Sequence, residues 1–137
     1  MNQKNNKNSL GLDSIFEDLD NPIDLFKNWF NKAEESEIND PNAVALGTAD
    51  QTNQPSVRMV LLKGLSDEGF VFYTNFNSKK GSDLKINQQA SMCFHWKSLR
   101  RQVRVIGKVK QVSEKEADDY YNSRPYKNRI SAWASNQ

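Results

Sequence analysis

The feature that most limits what this chain can fold into is a change of period near residue 42. Before it, Ile23, Phe26, Trp29, Phe30 and Ala33 recur at helical spacing and give one apolar face. After it, apolar residues alternate in short runs broken by turn-forming residues, the pattern of strands that bury a single face. Asn21-Pro22 reads as a helix start, with a side-chain cap followed by proline at the first helical position. The acidic run Glu34–Glu37 and then Asp40-Pro41 end that helix.

Strands are expected over Ala43–Ala49, Ser56–Lys63, Phe70–Asn75, Ser91–Trp96 and Gln102–Val112. In the second, Val57, Met59 and Leu61 share one face while Arg58, Val60 and Leu62 share the other. Asp50–Pro55 and Ser66–Gly69 are turns, and a short helix is expected from Ser78 to Asn87. Ser113 and Glu116 form a capping-box pattern ahead of a helix from Ala117 to about Asn122. Ile130, Ala132, Trp133 and Ala134 suggest one more helical turn. Short strands, tight turns and few long helices predict a mainly β (α+β) fold, a small antiparallel barrel with flanking short helices. Residues 1–20, rich in Asn and Lys, read as a mobile N-terminal arm, and residues 21–137 as the folded domain.

A chain of 137 residues fits a single domain. Its mean hydropathy is −0.82, and no run approaches the roughly 20 apolar residues needed to cross a bilayer. The polar N-terminus lacks the apolar stretch of a signal peptide, so the expectation is a cytoplasmic protein without membrane contact. One Cys excludes an internal disulfide, and with a single His beside it a structural zinc site is not expected. Cys93 is expected to be a buried thiol and His95 a structural barrel histidine, not a nucleophile and its base. The net charge of +2 is unevenly spread: residues 1–40 hold four Lys against nine acids, leaving a strongly basic body. Such a body suits anionic partners: phosphorylated small molecules, nucleic acid or an acidic surface.

Three segments could carry chemistry. Arg58 and Lys63 bracket Met59, Val60, Leu61 and Leu62 on one strand. Cations at both ends and apolar residues between them could lie beside an elongated ligand with a flat ring and a phosphate. Ser78, Lys79 and Lys80 open the short helix, where free N–H groups and the positive dipole end favour phosphate. Tyr120, Arg124 and Asn128 recur at four-residue spacing, with Arg124 at a helix end before Pro125, where its guanidinium could fork onto a phosphate. Neither a Walker A sequence nor G-x-G-x-x-G is present, so triphosphate and classical dinucleotide readings lose support.

In order, Asp40-Pro-Asn-Ala43, Arg58–Lys63, Val71–Asn75, Ser78–Lys80, Arg101–Val103, Ile106–Lys108, Tyr120, Ser123–Pro125 and Ala132-Trp133 through Gln137 resemble the pyridoxamine 5′-phosphate oxidase family. The resemblance covers roughly residues 22–137 and implies an FMN-binding split barrel. It implies that Arg58, Met59, Val60, Leu61, Leu62 and Lys63 contact FMN. Tyr73, Thr74, Lys79 and Lys80 would complete its phosphate and ribityl surroundings, and Gln102 and Gln137 would address the flavin. Lys63, Tyr120, Arg124 and Asn128 would hold the phosphate of the B6 substrate; at Asn128 the family commonly has Ser. The implied reaction oxidises pyridoxamine or pyridoxine 5′-phosphate to pyridoxal 5′-phosphate, with O2 as acceptor and H2O2 as product. The implied assembly is a homodimer with FMN at the interface, without nucleic acid.

Two departures accompany the resemblance. Residues 1–20 contain neither Arg nor Tyr, whereas the family often has a basic, Tyr-containing arm over the substrate. The family also continues past Gln137 into further strands, so the expectation is a fragment, an interrupted gene or a shortened homologue. An active oxidase and a non-catalytic flavin-binding module are therefore both open readings. Nucleic-acid binding by a small basic barrel is a weaker third, because Phe70, Phe72 and Tyr73 alternate poorly with cations.

Overall fold

The computed structural model describes residues 20–123. Helix α1 spans Pro22–Ser36, and strands β1, β2 and β3 span Ala43–Ala49, Pro55–Ser66 and Gly69–Phe72. Helix α2 is Lys79–Ile86, β4 is Gln89–Trp96, β5 is Arg101–Lys108 and α3 is Glu114–Ser123, with a 3-10 turn at Lys97–Leu99. The strands make one antiparallel sheet in the order β3-β2-β1-β4-β5.

Helix α1 starts as its sequence dictates. Asn21 Oδ1 accepts from the Ile23 N–H at 2.9 Å, Pro22 needs no partner, and the Glu37 N–H closes the last turn on the Ala33 carbonyl at 2.8 Å. Its aromatic stripe enters the core. The Phe26 ring centroid lies 5.0 Å from Phe94 and from Phe70, 5.6 Å from Trp96 and 5.9 Å from Phe30. Beneath it, Val44, Leu46, Val60, Leu62, Met92, Phe94 and Trp96 are buried on the inner face of the sheet. Trp96 Nε1 donates to the Pro41 carbonyl at 2.8 Å, so the indole's one polar group is satisfied inside. At the same corner the Arg101 guanidinium lies over the Trp29 ring at 4.6 Å, and burial lowers its pKa.

Alternation assigns the faces. Because Met92, Phe94 and Trp96 take the core, Cys93 and His95 point outward. Cys93 is half-buried between Ala45 and Arg104 in register, so it is not the buried thiol expected from its apolar flanks, and His95 is exposed opposite Gln102. On β2, Arg58, Val60 and Leu62 face inward, while Val57, Met59 and Leu61 are exposed on the outer face.

Several element ends differ from expectation for local reasons. Strand β3 stops at Phe72 because Asn75 starts a turn: its side chain accepts from the Asn77 N–H, and its carbonyl accepts from Ser78. Strand β5 ends at Lys108 because its partner β4 begins at Gln89, directly opposite. Helix α3 begins at Glu114, immediately after the Ser113 hydroxyl that accepts from the Glu116 N–H. The N-terminal arm through residue 19 and the helical turn expected near 130–134 lie outside the described residues.

Phe26 is the side chain that joins α1 to the sheet. Phe26→Ala should lower stability by about 3–5 kcal/mol in urea unfolding, and a loss below about 1 kcal/mol would contradict its central place.

Candidate functional site

The inner face changes character along β1. Val44 and Leu46 are apolar, but the next inward residue, Thr48, is polar and 4% exposed. Arg58 on β2, paired in register with Leu46, reaches Thr48 diagonally along the same inner face, and against this end of β1 lies α2. A polar corner is thereby built where the hydrophobic core ends.

Helix α2 begins with a local cap. The Ser78 hydroxyl accepts from the Gly81 N–H at 3.2 Å and donates to the Asn75 carbonyl at 2.6 Å, fixing the first turn against the preceding loop. Thr74 reaches the same hydroxyl at 3.4 Å. Lys79 and Lys80 follow on the first turn, with Lys79 exposed and Lys80 buried.

One buried carboxylate organises the corner. Asp83, 2% exposed, accepts from Lys79 Nζ at 2.6 Å through Oδ1 and from the Thr48 hydroxyl at 2.7 Å through Oδ2. Arg58 Nη1 donates to Thr48 Oγ1 at 2.7 Å and to the Leu46 carbonyl at 3.2 Å. Its other terminal nitrogen stands 3.8 Å from Asp83 Oδ2. Asp50, whose Oδ1 accepts from Thr52 and Gln54 in the β1–β2 turn, approaches Lys79 at 3.8 Å with its other oxygen.

The electrostatics follow from this packing. The hydrogen bond from Lys79 leads the influences that hold the Asp83 carboxyl below its usual 3.8, helped by Thr48 and the nearby Lys79 and Arg58 charges and opposed by burial. Burial first, and then the neighbouring Arg58 charge, lower the pKa of Lys80. Crowded, partly desolvated cations at a capped helix start are suited to an anion, whose charge would oppose the lowering and favour the charged form of Lys80. The residues fit a phosphate group.

Strand β2 supplies a second element. The Leu62 N–H donates to the Asn42 carbonyl at 2.8 Å, so in the alternating antiparallel pattern Val57, Met59 and Leu61 turn their backbone groups toward the other edge. Strand β3 pairs along that edge only from Leu62 to Ser66. Among the described residues, the stretch from Val57 to Leu61 therefore has no strand on that side. Val60 and Leu62 put their side chains into the core, so the exposed side of this run is formed by Met59 and Leu61.

The structure thus gathers Arg58, Lys79 and Lys80 at one corner, with Thr74 joined through Ser78 and the half-buried Tyr73 on the loop between. Lys63 is elsewhere. It is the extra residue of a β-bulge between Leu62 and Gly64, about 16 Å along the strand from Arg58. There it borders a cleft of about 360 Å³ lined also by Phe30, Glu34, Pro41, Asn42, Leu65 and neighbouring β2 residues. Gln102 lies exposed on the outer face of β5, three strands from β2. Helix α3 carries Tyr120, whose side chain, like Arg124, Asn128 and Gln137, is outside the described residues. Sequence reading missed Thr48 and Asp83. The available signals were a polar residue at an inward position of β1 and the four-residue spacing of Lys79 and Asp83.

Fold and site together define a split-barrel protein with a cationic, phosphate-suited corner. PhzG from Burkholderia lata 383, solved in complex with tetrahydrophenazine-1-carboxylic acid, superposes with a TM-score of 0.83 and 28% identity over 88% of this chain and 60% of its own. A pyridoxamine 5′-phosphate oxidase-related, FMN-binding protein from Nostoc punctiforme PCC 73102 shares the fold with a TM-score of 0.63 and 14% identity, over 77% of this chain and 62% of its own. The family model described as pyridoxamine 5′-phosphate oxidase matches residues 30–137. A pyridoxine/pyridoxamine 5′-phosphate oxidase of Pelagibacter ubique is 63% identical over 97% of this chain, and one of Agrobacterium fabrum is 60% identical over 90%. The chain belongs to the pyridoxamine 5′-phosphate oxidase family. It spans 64% and 60% of the length of those two relatives.

Because the Asp83 carboxyl is held low, its contribution to stability is complete above its ordinary value of 3.8 and is lost as pH falls through the depressed one. Between about pH 5 and about pH 2, the wild-type chain should therefore lose more stability than Asp83→Asn in urea unfolding; parallel losses would contradict the assignment.

Proposed function

We propose that the chain carries the flavin-binding part of an FMN-dependent oxidase that converts pyridoxamine or pyridoxine 5′-phosphate to pyridoxal 5′-phosphate. The observation that carries this reading is the cationic corner of Arg58, Lys79 and Lys80 in a chain with relatives of that name. Arg58, Lys79, Lys80 and Thr74 would hold the FMN phosphate, and Tyr73 the neighbouring ribityl chain. Met59 and Leu61 would offer backbone groups and apolar surface to the ring, with Val60 and Leu62 anchoring the strand from the core. Lys63, Tyr120, Arg124 and Asn128 would hold the substrate phosphate, and Gln102 and Gln137 would address the flavin.

Bound FMN would accept the hydride from the carbon carrying the amine or alcohol and pass the electrons to O2, giving H2O2. The alcohol substrate then balances as the aldehyde plus H2O2, and the amine substrate additionally consumes water and releases ammonia. The work assigned to this chain is binding and orientation, and no side chain is assigned as a general base.

A homodimer with FMN between the subunits accounts for two features of the single chain. Gln102 stands about 14 Å across the sheet from β2, so a second copy offers the shorter route from it to a ligand on that strand. Val57, Met59 and Ile106 are 72%, 57% and 73% exposed on the same outer face, apolar surface that a second copy would cover. No described helix is long and apolar enough to cross a membrane, and the polar composition suits a cytoplasmic enzyme. Because the chain spans about three fifths of its relatives, a flavin-binding module without turnover is the second reading.

Lys63→Ala or Arg124→Ala should raise the KM for pyridoxine 5′-phosphate about ten-fold or more and leave bound FMN intact, the loss expected for one charge-assisted phosphate contact. Loss of FMN in either variant would overturn the division of cofactor and substrate residues. FMN retention without aldehyde formation by the wild-type chain would favour the second reading.

A further inference from the structure

Asp83 is a buried charge to which the proposed chemistry gives no direct part, and burying a carboxylate is costly unless its partners repay it. We infer that Asp83 is a positioning residue for the flavin-phosphate site, acting through Thr48 to aim the Arg58 guanidinium and directly on Lys79 to hold its ammonium. The inference rests on the FMN reading above and assigns a residue that touches neither flavin nor substrate.

Hydrogen-bond direction carries the argument. An ionised carboxylate only accepts, so the single proton of the Thr48 hydroxyl must point to Asp83 Oδ2, 2.7 Å away. The lone pairs of that hydroxyl are then left for Arg58 Nη1, also at 2.7 Å. The Leu46 carbonyl takes a second bond from the same nitrogen at 3.2 Å, so one end of the guanidinium is fixed to β1 on two sides. The other Asp83 oxygen holds Lys79 at 2.6 Å, four residues earlier on α2. One carboxylate therefore sets the relative placement of two cations carried by different elements, β2 and α2.

An amide at position 83 cannot repeat this arrangement. Its one carbonyl oxygen can serve Lys79 or Thr48 but not both in the same geometry, and its NH2 would face the other donor. If the NH2 met Thr48, the hydroxyl proton would turn toward Arg58 and set donor against donor. Thr48→Val breaks the same relay without changing any charge, and Thr48→Ser preserves it.

Two rival roles give different results. A mere counter-charge predicts that Asp83→Asn binds FMN more tightly, because the corner gains positive charge. A merely structural role predicts parallel losses for FMN and for riboflavin, which has the same ring and ribityl chain without the phosphate.

The test is equilibrium binding of FMN and of riboflavin to the full chain by flavin fluorescence, well below each variant's unfolding midpoint. Asp83→Asn should bind FMN about ten-fold more weakly and Thr48→Val about five-fold, the range for a lost charge-assisted contact. Riboflavin affinity should be unchanged in both, and Thr48→Ser should match wild type. If Asp83→Asn fails to fold, Thr48→Val and Thr48→Ser carry the same comparison. Equal or tighter FMN binding by Asp83→Asn, parallel loss of both flavins, or an unaffected Thr48→Val would overturn the inference. A wild-type chain that prefers riboflavin, or binds neither flavin, would overturn the FMN reading itself and this inference with it.

Discussion

The polar corner depends on one buried carboxylate. Asp83 joins α2 to β1 through Thr48, and through the same hydroxyl to Arg58 on β2. Without its charge, the helix that presents Lys79 and Lys80 would lose its buried tie to the sheet through Thr48 and Arg58. The pairing of Lys79 with Asp50 is half-exposed at 3.8 Å and contributes little by comparison. A phosphate-suited site is thus obtained by fixing Arg58 and Lys79 from behind, beside the buried Lys80.

The inner face of the sheet changes from apolar packing at one end to a polar, hydrogen-bonded corner at the other. At the Trp96 end, α1 closes the core with packed aromatic rings and satisfies the indole on the Pro41 carbonyl. At the Thr48 end, the inward position is polar and α2 replaces apolar packing with hydrogen bonds. The bulge at Lys63 interrupts β2 near the first end, so the two cations of that strand serve different surroundings. The outer face has yet another character: small residues on β1 lie between Val57, Met59 and Leu61 on one side and Ile106 on the other.

Much of this was legible in the residues themselves. Asn21-Pro22 marked the start of α1, the helix expected from Ser78 to Asn87 is found at Lys79–Ile86, and the alternation of β2 was read in the correct phase. Which face of β2 turns inward was not legible, because both are apolar in part: Val60 and Leu62 serve the core while Met59 and Leu61 remain outside. The same ambiguity made Cys93 look buried, since its neighbours Met92 and Phe94 are core residues on the opposite face. The cations at Arg58, Lys79 and Lys80 stood out by type and position. Their tie through Thr48 and Asp83 joins residues 35 positions apart, a long-range contact that local spacing does not encode.

The central claim is that this corner holds FMN so that a phosphorylated B6 vitamer can reduce it. The most direct measurement is the absorbance spectrum of the chain reconstituted with FMN without oxygen, before and after adding pyridoxine 5′-phosphate. The flavin band should be retained and should bleach on addition of the substrate. A retained band that stays oxidised would contradict the oxidase and leave a cofactor-binding module, and a chain that keeps no flavin would contradict the site itself.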